Sequence, residues 1–88
     1  MNGERKTILV IARHNKPEAL RMASGLTLLD DQVEVAVIGR LGDDAETALQ
    51  MEALEFSEVP VATLDPEQDA DIGRLADDIL RADAVYVI

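Results

Sequence analysis

Thr7-Ile8-Leu9-Val10-Ile11-Ala12, bounded by Lys6 and Arg13, is the stretch from which the fold can be read. Its apolar run shows no polar alternation, as expected of a strand covered on both faces, and such strands belong to parallel sheets. Similar runs recur at Val33–Ile38, Val59–Leu64 and Ala84–Ile88, and helix-patterned stretches fill the three intervals. Strands alternating with helices at this spacing predict an α/β domain: a mostly parallel sheet of four strands with three helices on its faces. That architecture hosts many unrelated functions and names no reaction.

The intervals are legible in more detail. Pro17 fits a first helical turn, where its missing N–H costs nothing, with Asn15 or Lys16 before it as cap. Ala19, Met22, Ala23, Leu26 and Leu29 then make one apolar stripe. Gly25, inside that helix, is read as a close approach of helix to sheet rather than a functional position. Asp43-Asp44-Ala45-Glu46 reads as an acidic capping box, with Asp43 as acceptor and Glu46 reaching back. Ala45, Leu49, Ala53 and Phe56 form the expected inward stripe of the second helix. Met51 and Leu54 widen it into either core or a seam to another subunit. Pro60 stands near the start of the third strand, where proline is tolerated. In the third helix Ile72, Leu75, Ala76, Ile79 and Leu80 are expected to face inward, and Asp77, Asp78 and Arg81 to face water. The apolar run Ala84–Ile88 is read as paired or covered, with another chain as one candidate. No internal repeat, linker or low-complexity segment interrupts the 88 residues, which hold a single domain spanning 1–88.

Composition narrows the partners. One Phe, one Tyr and no Trp leave the core to Ala, Leu, Ile and Val, which bury little area each. A thin core of this kind calls for oligomerisation, which adds apolar burial that the monomer lacks. The net charge of −10 repels phosphate backbones and anionic membranes, so neither nucleic acid nor membrane is an expected partner. Without cysteine there is no disulfide, thiolate metal site or thiol catalysis. The apolar stretches are far short of a membrane span. The stretch from Met1 to Arg13 is too short for a signal peptide and lacks its cleavage site, so the expected location is cytoplasmic.

Chemistry is expected at the carboxyl ends of the strands, where the strand order reverses. With the order 2-1-3-4, that crevice lies beside the end of the first strand, at Arg13, His14, Asn15 and Lys16. Two cations, the sole histidine and an amide meet there beside a helix N-terminus, a combination suited to a small anion or a nucleotide phosphate. The competing reading is that loop residues are polar because loops are wet. Asp65, after the third strand, is the one acidic residue near the same crevice. No glycine-rich dinucleotide fingerprint, phosphate loop, nucleophile elbow or metal-ligand spacing is present, so no cofactor is expected. Enzymatic activity is left open, with the weight against it.

Residues 6–39, Lys6-Thr-Ile-Leu-Val-Ile-Ala with Pro17-Glu-Ala-Leu-Arg-Met-Ala through Val-Glu-Val-Ala-Val-Ile-Gly39, resemble the DsrE/DsrF-like sulfur-relay family. The likeness implies a flavodoxin-like three-layer fold and assembly into trimers or hexamers, with itself or with related subunits. Some members of that family pass persulfide sulfur from a cysteine in a loop after a later strand. Here Val61-Ala62-Thr63-Leu64-Asp65-Pro66 carries none. Covalent persulfide transfer by this chain is therefore excluded, because the thiolate is the nucleophile. The resulting expectation is a non-catalytic oligomeric scaffold linked to sulfur metabolism, with small-molecule binding at the loop after the first strand as the alternative.

Overall fold

The computed structural model describes residues 5–88; Met1–Glu4, on which part of the signal-peptide argument rests, lie outside them. The elements follow the expected alternation: β1 (Thr7–Ala12), α1 (Lys16–Leu26), β2 (Gln32–Ile38), α2 (Ala45–Phe56), β3 (Val61–Leu64), α3 (Asp69–Arg81) and β4 (Ala84–Val87). All four strands are parallel, in the order β3-β2-β1-β4. This replaces the order 2-1-3-4 used above: the chain steps outward twice from β1 and then crosses to its other side. Right-handed crossovers put helices made in opposite directions on opposite faces, giving three layers. Accordingly, α1 and α2 share one face and α3 has the other.

The two faces are unequally filled. Toward α1 and α2, the side chains of Ile8, Val10, Val33, Val35 and Val37 pack on Ala19, Leu20, Ala23 and Leu54. Toward α3 only Leu9, Ile11, Ala36 and Leu64 are buried, and α3 itself buries no residue completely. β4 is locked to the centre of the sheet by a reciprocal pair. The amide of Asp83 donates to the Thr7 carbonyl at 2.8 Å, and the amide of Thr7 donates to Asp83 Oδ2 at 2.8 Å. β3 starts later than expected because Pro60 has no N–H to give, although its carbonyl still accepts from the Val35 amide at 2.9 Å.

Helix rotations depart from several expectations. In α1 the fully buried positions are Ala19, Leu20 and Ala23; Leu29 lies beyond the helix and is exposed. In α2 the buried line is Thr47 and Leu54, with Met51 beside it, while Ala45, Leu49 and Phe56 point to solvent. This helix carries apolar residues on opposite sides, so periodicity fits two rotations. The ion pairs of Arg21 with Glu18 and Glu46 tie α2 to α1 in the rotation that buries Thr47. The cap is Asp44 rather than Asp43, and Glu46 turns to Arg21 rather than back to the cap. In α3 Leu75 packs inward, but Ala76 and Leu80 are exposed and Ile72 and Ile79 only partly covered. Asp78, expected in water, is half-buried. Gly25 faces open space, with nothing near the position of a Cβ, so it marks no approach to the sheet.

Candidate functional site

Strand order reverses between β1 and β4, so the loop after β1 still occupies the switch point of the sheet. The backbone there is already engaged. The amides of Arg13, His14 and Asn15 all donate to the carbonyl of Ile88, at 3.1, 2.8 and 3.3 Å. Successive amides converging in this way form the cradle that holds phosphate in anion-binding loops. In this chain the cradle holds a main-chain oxygen instead. The N-terminal turn of α1 also contains its own anion, Glu18, which takes part of the favourable helix dipole. Anion binding here is left to side chains.

Those side chains spread over the carboxyl end of the sheet. Arg13, His14 and Asn15 are exposed, and Lys16 is half-buried with its Nζ beside Gly39. Gly39 ends β2 at φ 90°, and its amide donates to the Leu64 carbonyl at 2.9 Å. A residue with a Cβ is strained in that conformation. Arg13 stands at an apolar cavity of about 260 Å³ between strand ends and α3, walled by Ile11, Ile38, Leu64, Ile72 and Val87, with Asp71 at its edge. Among the described residues Arg13 makes no ion pair.

Asp65 does not join this group. β2 separates its strand from β1, and Asp65 lines a second depression of about 330 Å³ with Gly39, Arg40, Thr63 and Asp71. Its carboxylate accepts the Glu67 amide at 2.9 Å, and its own amide donates to Asp71 Oδ2 at 2.8 Å. Asp65 is therefore a turn-forming residue that leads the chain into α3. Asp71 links the two depressions and was missed in the sequence. Its position in the first turn of α3 was the available signal, but an acidic residue there is expected for the helix dipole alone.

A larger cleft, about 960 Å³, lies elsewhere: beneath the α3 flank formed by Ala70, Arg74, Asp77 and Arg81, over Glu34, Val35 and β3. It is the part of the sheet face that α3 leaves uncovered, which accounts for a glutamate in a central strand. Among the described residues no group of His, Asp or Glu is arranged to hold a metal ion, and no helix is long and apolar enough to cross a membrane. The chain was compared with models of known families, with curated proteins and with solved structures, and it matches none of them.

Proposed function

We propose that this chain is a non-catalytic interaction domain that works as a cytoplasmic homo-oligomer, a scaffold of the DsrE-like kind linked to sulfur metabolism. The observation that carries this reading is the placement of its exposed apolar side chains. Leu28 and Leu29 lie in the turn after α1, Leu49 and Phe56 on α2, Ile72, Ile79 and Leu80 on α3, and Tyr86 and Val87 on β4. Large apolar residues grouped on particular elements mark contact surfaces, whereas singly scattered ones mean nothing. The thin α3-side core supports the same conclusion, since a small domain gains from a partner the burial it cannot supply itself. The likeness of residues 6–39 to sulfur-relay proteins supports the trimeric or hexameric form and the metabolic setting.

Sedimentation over a wide concentration range tests the reading, together with the concentration dependence of Tm. A mass above that of one chain and a Tm that rises with protein concentration are expected. A monomer with a fixed Tm at every concentration overturns it.

A second reading keeps one specific observation: among the described residues Arg13 makes no ion pair, and it stands at an apolar cavity. A small anion held by Arg13 and Lys16 would raise Tm in phosphate, sulfate or nucleotide, and the double replacement R13A/K16A would abolish that rise.

A further inference from the structure

One line of side chains on α2 runs directly away from the sheet. Thr47 and Leu54 fix the buried side of this helix. At about 100° per residue, Ala45, Leu49, Glu52 and Phe56 fall on the opposite side. Leu49 is 63% exposed and Phe56 90%. A depression of about 350 Å³ is lined there by Leu49, Glu52, Ala53, Phe56 and Ser57. Successive members of the line are four, three and four residues apart, the alternation of a coiled-coil seam. Ala48 and Ala53 beside it are small enough to let another backbone come close.

The charge along this seam has one sign. Glu52 interrupts the apolar residues, and Glu46 and Glu55 flank them. Arg21 takes up Glu46, whereas Glu52 and Glu55 make no ion pair among the described residues. The helix itself contains no Lys or Arg. A second copy of α2 therefore fits badly in either direction. Every seam position of the copy is apolar or is Glu52, so Glu52 meets either an apolar side chain or another carboxylate. Both arrangements bury a charge without a counter-ion. A different helix, with a cation at that point, satisfies it.

Going beyond the homo-oligomeric reading, we propose that this seam docks a helix of another protein, one whose apolar seam is interrupted near its middle by a Lys or Arg facing Glu52. From Ala45 to Phe56 the line is about 16 Å long, three helical turns, and calls for a partner helix of similar length. Apolar residues of the partner enter the depression between Leu49 and Phe56, and its cation lies beside Glu52. Contact with Leu49 and Phe56 supplies affinity, while the carboxylate discriminates among partners. The net charge of −10 draws a basic segment toward the domain before contact. Self-assembly is left to the other exposed side chains, so the two readings stand or fall separately.

The test titrates the whole chain into a fluorescein-labelled three-heptad peptide, read by anisotropy at physiological ionic strength. The peptide carries Leu at its seam positions, Lys on both flanks, and one Lys in place of a central seam Leu. A companion peptide has Glu at that one position. The parent should bind the first peptide more tightly than the second by about tenfold or more, and Glu52→Lys should invert the order. Phe56→Ala should weaken the first peptide by about tenfold or more, and Leu80→Ala, on the opposite layer, by no more than about twofold. Phe56 and Leu80 are too exposed for either replacement to unfold the domain. Absent binding, or binding indifferent to Phe56 or to Glu52, overturns the proposal. Sedimentation of the unmixed proteins separates the two readings. Assembly of the parent that Phe56→Ala abolishes means that a second copy holds the seam, which overturns the proposal and leaves the homo-oligomer standing. A monomeric parent that binds the first peptide in the expected manner overturns the homo-oligomer alone.

Discussion

Thr47 closes the N-terminus of α2 by binding Asp44 twice: its amide donates to Oδ2 at 3.0 Å and its hydroxyl to Oδ1 at 2.8 Å. The hydroxyl bond, and after it the amide bond, hold the Asp44 carboxyl below its ordinary value of 3.8. A carboxylate with a depressed folded pKa stabilises the fold above the unfolded value, and this contribution is lost as pH falls through the folded pKa. The stability advantage of the parent over Asp44→Asn, which retains a capping oxygen but does not titrate, should therefore be constant at neutral pH and shrink below pH 3.8. Urea titrations of both proteins at several pH values check this. Asp44→Ala removes the cap outright and should lower Tm by a few degrees.

Four glycines separate by environment. A Cβ at Gly25 or Gly73 meets open space within a helix. Alanine at either position should stabilise the domain by about 0.4–1 kcal/mol. Gly39 sits at φ 90°, and Gly39→Ala should cost about 1–3 kcal/mol. A Cβ at Gly42 would come within 2.8 Å of Asp44 Oδ1, so Gly42→Ala should displace the cap. Thermal melts of the four variants give the order directly.

Leu54 and Phe56 are two residues apart with opposite fates. Leu54 is fully buried between α2 and the sheet, and Phe56 is 90% exposed. Leu54→Ala should cost about 2–5 kcal/mol through lost burial and a residual cavity. Phe56→Ala should change monomer stability by no more than about 0.5 kcal/mol. Equal losses in chemical denaturation would mean that α2 is rotated by half a turn.

Arg21 bridges Glu18 of its own helix and Glu46 of α2, with all three side chains about half exposed. Solvent-exposed pairs contribute little, so Arg21→Gln should cost less than about 1 kcal/mol, and the loss should fade at about 1 M salt.

These variants also show where the sequence was sufficient. The strands were legible because burial on both faces leaves an unbroken apolar run, as in Thr7–Ala12. Helix rotation was not, because Leu49 and Phe56 compete with Leu54 for the same helix, and the tie is broken by contacts with α1 that no local pattern contains. Strand order is invisible in principle, since the runs do not say which neighbours they pair with. At the candidate site, Arg13 through Lys16 stand at the switch point as the alternation implies. That the carbonyl of Ile88 takes up three amides there depends on an encounter between the two ends of the described chain.

The reciprocal pair between Thr7 and Asp83 spans 76 residues, and this distance sets the sequence of events in folding. β1 can dock on β2 after closing a short loop, but its other edge stays open until β4 has been synthesised and carried past the rest of the sheet. Contacts of such long range make folding slow for a chain of this size. The intermediate missing only β4 exposes the uncharged edge of Thr7–Ala12, the segment best suited to pair with a stranger. The β1 edge that faces β4 is thus shielded from stray pairing only once β4 has docked.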